Sequence, residues 1–341
     1  MESDFASRAR AHQDSLAKPP GSLGRLETIA SDLCVVQRTE SPQSRPAACV
    51  IFAADHPVSS EESVSAYPTD ITASMMTAFL AGGAASSVMA RHLGLPVHLV
   101  DVGVAYPYSG ESNSDVKIDR TPVPKDSCGN LRIEDALTPA GFDHAWQVGE
   151  RTVAAHESDR VLLLGEMGIG NSTPASAIAA SLIEIEPTAI VGRGTGIDDE
   201  TLARKIAVVT EALRRVGTCS AIERLRRLGG PEIVALTSTM IAASKAKKAV
   251  LVDGFIATSA ALAATAIEPE CRQALFFAHR SAEPGHRIML DHLAANPLLD
   301  LEMRLGEATG TLAALPLLDL ACTLHRDMWR IADLGKVGAK A

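Results

Sequence analysis

Short apolar runs separated by longer helical stretches recur along this sequence and constrain its fold more than any other feature. Several runs end in a small or acidic residue; they span 49–52, 97–100, 161–164, 190–191, 250–252 and 274–277. Alanine-rich stretches with helical spacing lie between them, for example 72–93 and 199–215. Strands with little polar alternation, separated by helices, indicate an α/β fold with a parallel sheet covered by helices on both faces. Ligands of such sheets bind at the carboxyl ends of the strands.

The segment 165–171 directly follows one of these predicted strands and carries three glycines around a single acid, Glu166. Pro174 then stands in the first turn of the helix that the following residues predict. Glycines let backbone N–H groups approach an anion, and a helix N-terminus favours negative charge. The segment therefore predicts a phosphate-binding loop with a carboxylate beside it, although a tight strand–helix turn without a ligand fits the same residues.

A second loop of the same kind, 192–200, joins the run at 190–191 to a helical pattern that begins near Thr201. It carries glycines at 192, 194 and 196, followed by acids at 198, 199 and 200. Neither loop has the GxGxxG dinucleotide pattern or the GxxxxGK[ST] triphosphate pattern. Two phosphate-type loops without either signature indicate a single phosphorylated sugar as the ligand.

Composition and charge exclude several classes of partner. The 341-residue chain has a formal net charge of −9, which argues against binding to nucleic acid or to an anionic membrane. Its apolar runs are too short to span a bilayer, and its first residues lack the basic and apolar regions of a signal peptide. The six cysteines form no CxxC pair, which is typical of reduced and mostly buried thiols rather than a metal cluster. We therefore expect a cytoplasmic protein with no nucleic-acid or membrane partner and no metal.

The distribution of strands and helices predicts two domains. Residues 1–44 and 312–341 are predicted as helices that form a small domain, and residues 45–311 form the large α/β domain. Within the large domain, residues 105–135 are rich in Pro, Gly, Ser and Asp, which predicts a surface loop or an edge hairpin.

Ten short motifs occur in order over almost the whole chain, at 18–27, 52–56, 64–68, 79–85, 165–171, 191–199, 228–233, 252–256, 278–286 and 305–310. Together they resemble the nicotinate-nucleotide–dimethylbenzimidazole phosphoribosyltransferase family. The resemblance implies a Rossmann-like parallel sheet, a small helical domain built from both termini, and a homodimer. It also implies that phosphoribose passes from nicotinate mononucleotide to a benzimidazole-type base, with no cofactor.

Two acids match the catalytic residues of that family. Glu307, in the motif Leu-Gly-Glu, matches the general base that accepts the proton of the incoming imidazole nitrogen. By itself it is typical of a first-turn acid that complements a helix dipole. Glu166 matches an acid that faces the ribose and its developing positive charge, and the alternative is a strand-end acid bonded to loop N–H groups. An apolar pocket raises the pKa of a carboxyl group toward neutrality, which suits a base at pH 7.

The resemblance also implies a set of substrate-binding residues. Lys205 matches a lysine that reaches the phosphate, whereas a lone lysine is usually solvated. The phosphoribose contacts are expected from Gly168, Gly170, Asn171, Gly194, Thr195 and Gly196, with Asp253 and Ser281 at strand ends as further candidates. On the side of the base we expect Ser65, Tyr67, Ser74 and Leu305. For His56, His279 and His286 we expect structural hydrogen bonds to loop carbonyls, since no metal-binding spacing is present.

The sequence departs from the family pattern mainly on the side of the base. Pro57 and Ser63 replace glycines, Ser74 and Ala78 replace a glutamine and an asparagine, and Pro231 replaces a common phenylalanine. The two glycine loops and Glu307 keep the family pattern, and a wider pocket that accepts several azoles is expected. Two alternatives stay open: a nicotinate-mononucleotide-binding relative without transferase activity, and a hydrolase that transfers phosphoribose to water.

Overall fold

A parallel β-sheet forms the centre of the computed structural model, which describes residues 2–110, 113–194 and 196–334. Within these residues six strands pair in the order β3-β2-β1-β4-β5-β6, and every pairing is parallel. The strands are β1 (Ala47–Ala54), β2 (Val97–Gly103), β3 (Val116–Arg120), β4 (Val161–Met167), β5 (Ala249–Val252) and β6 (Leu275–Phe277). The chain reverses its winding direction between β1 and β4, which is where a doubly wound sheet opens a crevice. The predicted α/β fold is confirmed.

Helices cover both faces of the sheet. They are α1 (Glu2–Ser15), α2 (Arg25–Gln37), α3 (Pro57–Glu61), α4 (Ile71–Leu80), α5 (Ala85–His92), α6 (Pro139–Ala155), α7 (Ser172–Ile183), α8 (Pro187–Ile190), α9 (Asp199–Val216), α10 (Ala221–Leu228), α11 (Pro231–Lys245), α12 (Phe255–Ile267), α13 (Pro284–His292) and α14 (Thr309–Asp327), with a 3₁₀ helix at Pro269–Ala274. Alternate residues of β1 point to opposite faces, so Val50 and Phe52 join one apolar cluster while Cys49 and Ile51 join the other. The sheet is therefore buried on both sides, which explains why its strands show so little polar alternation.

Two segments differ from the sequence prediction. Residues 190–191 are predicted as a strand, but Ile190 ends the short helix α8, whose first residue is Pro187. A buried apolar run cannot by itself distinguish a strand from a short helix, and proline fits a first helical turn. Residues 116–120 lie in the stretch predicted as a loop or hairpin, yet they form the edge strand β3, parallel to β2. The alternation of Val116, Lys117 and Ile118 is the signal for it.

The terminal helices α1, α2 and α14 pack together, and α14 also lies on β4 and β5. Leu33 of α2 and Leu315 of α14 belong to the same apolar cluster as Ile51 of the sheet. The division into a small domain (1–44 with 312–341) and a large domain (45–311) stays a prediction.

Among the described residues, one stretch, Ile71–His92, is long and apolar enough to meet a length-and-composition criterion for a membrane span. In the fold this stretch is two helices, α4 and α5, with a turn between them, and half of it is buried inside the protein. Phe79 and Leu80 are fully buried in the cluster on that face of the sheet. The apolar character of this stretch is thus explained by core packing.

Candidate active site

A cavity of about 280 Å³ opens at the carboxyl ends of β4, β5 and β6. Its walls come from both glycine loops, from the segments after β5 and β6, from α4, and from the residues that precede α14. This is the edge of the sheet at which doubly wound folds bind their ligands. The two loops that the sequence predicts for phosphate therefore face a single site.

The first glycine loop places Glu166 at the inner end of the cavity. Glu166 is the penultimate residue of β4, is 7% exposed, and accepts a hydrogen bond from the side chain of Asn171. Burial, followed by the nearby Asp253 and Glu232 carboxylates, raises the pKa of Glu166 well above its usual value. The alternative for Glu166 expected hydrogen bonds from loop N–H groups, whereas the observed donor is the side-chain amide of Asn171. The loop itself is held by the Ile169 N–H, which donates to Thr72 Oγ1 at 3.1 Å.

Glu307 enters the cavity from the segment before α14, whose backbone approaches β4 closely. A Cβ atom on Gly165 would lie 2.1 Å from the nitrogen of Ala308, so only glycine permits this contact. Glu307 and Ala308 both have positive φ angles, of 60° and 63°, a strained backbone that is common at functional sites. Glu307 thus precedes α14. The alternative that it is a first-turn acid complementing the helix dipole would place it inside the helix.

The surroundings of Glu307 bring the pKa of its carboxyl group close to neutral pH. Glu307 is buried, and its Oε2 atom has no hydrogen-bond partner among the described atoms. Burial, and then the charge of Asp253, raises the pKa of Glu307 to about 7. Asp253 also fixes the start of α14, because its Oδ1 accepts the Gly310 N–H at 2.8 Å.

Lys205 lies beneath the second glycine loop and joins it to the first. It is 1% exposed, so the alternative of a solvated lysine is wrong. Its Nζ donates to Ser172 Oγ at 2.8 Å and to the Gly192 carbonyl at 3.1 Å. Burial lowers the pKa of Lys205 to about 8. With the N-terminus of α7, this ammonium group forms an anion-binding corner.

The other side of the cavity is apolar. Val64, Ile71, Met75 and Leu305 line it, and Tyr67 stands at its edge. Tyr67 and Leu305 are 51% and 57% exposed, so this wall is open toward solvent in the single chain. An anion-binding corner opposite an apolar wall suits a ligand that carries both a phosphate and a flat ring.

Comparisons with known proteins match this chain to the same kind of enzyme over nearly its full length. A family model described as phosphoribosyltransferase matches residues 1–335. The chain belongs to this phosphoribosyltransferase family. Two relatives are named nicotinate-nucleotide–dimethylbenzimidazole phosphoribosyltransferase. The first, from Bradyrhizobium sp. (strain ORS 278), is 44% identical over 98% of this chain and 94% of its own length. The second, from Xanthomonas oryzae pv. oryzae (strain PXO99A), is 44% identical over 96% of this chain and 94% of its own length. The crystal structure of CobT from Thermus thermophilus is similar, with a TM-score of 0.91 and 37% identity over 97% of this chain and 98% of that one.

Most of the residues predicted from the family resemblance line the cavity. These are Glu166, Gly168, Gly170, Asn171, Gly194, Lys205, Ser281, Ser65, Tyr67, Leu305 and Glu307. Thr195 lies outside the described residues. Gly196 is exposed in the turn of the second loop and does not line the cavity. Asp253 does not line the cavity either, and its side chain accepts a hydrogen bond from the start of α14.

Ser74 is not brought to the cavity. It is exposed on α4, and its Oγ donates to the Asp70 carbonyl at 3.4 Å. Because side chains one position apart on a helix point about 100° apart, its neighbour Met75 lines the cavity instead. Ala78 is partly buried, packs against the apolar core and also lies outside the lining. The expected widening of the base side by Ser74 and Ala78 therefore has no basis in this arrangement.

Sequence reasoning missed several lining residues, among them Arg193, Arg304, Glu283, Ile71 and Met75. Arg304 donates to the Gly194 carbonyl at 3.2 Å and so joins the loop before α14 to the second glycine loop. Arg193 and Glu283 lie inside motifs that the sequence singles out, and Arg304 directly precedes another. Arg304 and Gly194 are 110 residues apart in the chain, so no local sequence pattern could predict that they are in contact.

Two of the three histidines, His56 and His286, make structural hydrogen bonds, but their partners are not loop carbonyls. His56 Nε2 lies 2.8 Å from Glu232 Oε1, and although burial lowers the pKa of His56, Glu232 and Asp55 raise it above its usual value. His286 Nε2 pairs with Thr258 Oγ1 at 2.9 Å and its Nδ1 accepts the Ser281 N–H. His279 differs, because it lines the cavity and its nitrogens have no hydrogen-bond partner among the described atoms, although Nε2 lies 3.5 Å from Asp253 Oδ1. No cluster of metal-ligating side chains occurs within the described ranges.

Proposed function

We propose that the chain transfers phosphoribose from nicotinate mononucleotide to 5,6-dimethylbenzimidazole or a related base, giving alpha-ribazole 5′-phosphate and nicotinate. The observation that carries this proposal is the Oε2 atom of Glu307, which has no hydrogen-bond partner among the described atoms and belongs to a cavity that has both an anion-binding corner and an apolar wall. The names of the relatives, at 44% identity over nearly their whole length, support the same reaction.

In this mechanism the phosphate of the donor binds at Lys205 and the N-terminus of α7. The pyridinium of the donor is already a cationic leaving group, so no strong general acid is needed. As the bond to nicotinate breaks, positive charge develops on the ribose, and this charge favours the ionised form of Glu166 beside it. The base lies against Ile71 and Met75, and Glu307 accepts the proton of the attacking imidazole, which a carboxylate with a pKa of about 7 does effectively.

A nicotinate-release assay with and without a panel of bases separates this reaction from the two alternatives. A transferase releases nicotinate only when a base is present and forms one nucleotide for each nicotinate. A hydrolase releases nicotinate without a base and yields ribose 5-phosphate, and a binding protein releases none. Either of the last two results would refute the proposal.

We also propose a homodimer, as the family resemblance implies. The open apolar wall at Tyr67 and Leu305 supports it, because a flat apolar base needs more enclosure than the single chain provides. Sedimentation equilibrium measures the mass of the particle in solution, and a monomer mass at micromolar concentration would contradict the homodimer. The cytoplasmic location stays a prediction.

Replacing Lys205 by methionine should weaken donor binding. Methionine fills similar buried space but removes the charge-assisted contact to phosphate, which is worth on the order of 1.5–3 kcal/mol. We expect the KM for nicotinate mononucleotide to rise roughly 10- to 150-fold, while the KM for the base changes less than about threefold. The adjacent Arg204→Met serves as a control on the same helix. Equal effects on both substrates would instead assign Lys205 a structural role.

Replacing Met75 by alanine should relax selection of the base. The substitution removes side-chain volume from the apolar wall, and the fit of a methyl group or two in such a pocket is worth about 1–3 kcal/mol. We expect the preference for dimethylbenzimidazole over unsubstituted benzimidazole to fall roughly tenfold, measured by competition and product chromatography. Ser74→Ala should leave the preference unchanged, since Ser74 lies outside the lining. A larger effect at Ser74 than at Met75 would place the base elsewhere.

A further inference from the structure

Glu283 lies in the anion-binding corner, although the mechanism above gives it no role. It immediately precedes α13 and lines the cavity. Its Oε2 atom is enclosed by protein and has no hydrogen-bond partner among the described atoms. The same atom packs against the second glycine loop, since a Cβ atom on Gly192 would lie 2.1 Å from it.

The groups around Glu283 are those that a phosphate would use. Lys205 from α9 donates to the carbonyl of Gly192, the residue against which Glu283 packs. Arg304, from the segment before α14, donates to the carbonyl of Gly194. Burial raises the pKa of Glu283, while Lys205, a backbone hydrogen bond from Gly194, and Arg304 lower it in part. A phosphate bound in this corner would therefore use the same Lys205 ammonium, Arg304 guanidinium and Gly194 N–H group that already interact with the carboxyl group of Glu283.

A phosphate and a carboxylate cannot both stay fully charged in this corner. A phosphate monoester carries a charge of about −1.5 to −2 at pH 7, and Lys205 with Arg304 nearly balances it alone, since the third cation of the lining, Arg193, is paired with Asp199. A second anion in the same enclosure is disfavoured, and like charges raise the pKa of the group that can accept a proton. A protonated carboxyl group, in contrast, offers one O–H donor to a phosphate oxygen.

We propose that Glu283 binds the donor's phosphate as a neutral carboxylic acid, so that donor binding takes up one proton from solvent at this side chain. The proton is released again when the phosphorylated product leaves. This inference rests on the proposed function, because it takes the phosphate of nicotinate mononucleotide as the ligand of the corner.

Among the other titratable groups near Glu283, only Lys205 of α9 can also take up a proton when an anion binds, because its pKa is about 8. Arg304, from the segment before α14, and Arg193, from the second loop, stay charged over this pH range. His286, on α13 itself, stays neutral because burial, and then His279, lowers its pKa to about 3. Glu166 and Glu307 lie at the reacting end of the cavity, toward β4 and α14.

The sign of the pH dependence follows from the proton uptake. The pKa of Glu283 is higher in the complex than in the free protein, so its contribution to binding is complete below the free-protein pKa. It is lost as the pH rises through the pKa of the complex. Between these two values the Kd for the donor should rise by up to about tenfold per pH unit.

Isothermal titration calorimetry with nicotinate mononucleotide, in two buffers of different ionisation enthalpy at about pH 7.5 and 8.5, measures the uptake. For the wild type we expect uptake of more than about half a proton at pH 7.5 and a Kd that rises as the pH rises. Glu283→Gln retains an N–H donor without needing a proton, so only the uptake at Lys205 should remain, which a pKa of about 8 limits to about a quarter of a proton at pH 7.5. Glu302→Gln, which removes an exposed carboxylate two residues from Arg304 and outside the lining, should behave like the wild type.

Two further measurements make the outcome decisive. Ribose 5-phosphate should show the same uptake as the full donor, because the effect belongs to the phosphate and not to the nicotinate ring. Wild-type uptake below about 0.3 proton at pH 7.5 would overturn the inference whatever the stability of Glu283→Gln, and so would equal uptake in the wild type and in a folded Glu283→Gln protein. If the wild type transfers phosphoribose but shows no uptake, only this inference fails; if it neither binds nor transfers, the proposed function fails as well.

Discussion

Glu307→Gln should lower kcat by roughly 10²- to 10⁴-fold, the usual effect of losing a general base. Glutamine has nearly the same shape, so both substrates should still bind. In the wild type, the pKa of about 7 has a further consequence. Below that pH Glu307 is protonated and cannot accept a proton, so the rate should fall about tenfold per pH unit as the pH decreases. The variant should show a flat profile over the same range.

Glu302→Gln is the matched control for this experiment. Glu302 lies on the same segment before α14 but is exposed, and like Glu307 it has a positive φ angle. Its substitution should leave kcat and the pH profile unchanged. A Glu307→Gln protein with near-normal kcat, or one that retains the acid limb, would show that another group accepts the proton.

Gly165→Ala should disable the enzyme although it changes no functional group. The added Cβ would lie 2.1 Å from the backbone nitrogen of Ala308 and 2.6 Å from its Cα. These are backbone atoms of a fully buried residue, so the segment that carries Glu307 must move away from β4. A displacement of about 1 Å at a reacting group costs on the order of 10²-fold in rate, and overpacking of this kind destabilises a core by about 1–3 kcal/mol.

Gly83→Ala tests whether the effect is specific. Gly83 is exposed, has no positive φ, and its added Cβ would meet only the Ala78 carbonyl at 3.9 Å. Its kcat should stay within about twofold of the wild type. Thermal unfolding of both variants separates a displaced base from a protein that does not fold. A fully active Gly165→Ala protein would show that β4 and the start of α14 need not touch for catalysis.

The sequence predicts the sheet well because its strands are buried on both faces and form continuous apolar runs. It fails at the edges of that pattern. The segment Val116–Arg120 is a half-exposed edge strand with weak alternation, and Ile190 is buried without being in a strand. Periodicity reports burial, and burial coincides with strand structure only inside the sheet.

The candidate site was predictable where glycines and acids follow a strand. Glu166 and Asn171 lie within one loop, so a local motif contains both. The contact of Arg304 with Gly194 and the packing of Glu283 against Gly192 join distant segments, and only the fold brings them together. Ser74 shows the opposite error, because a motif position fixes a residue on a helix but not the direction in which its side chain points.

A crystal structure of the Glu307→Gln protein with nicotinate mononucleotide and dimethylbenzimidazole tests the assignment of the site most directly, since slow turnover should preserve both substrates. We expect the phosphate within hydrogen-bond distance of Lys205 Nζ, the ring of the base against Ile71 and Met75, and one imidazole nitrogen within about 3 Å of the side chain of residue 307. A phosphate bound away from both glycine loops, or a base whose nitrogens face a group other than residue 307, would contradict it.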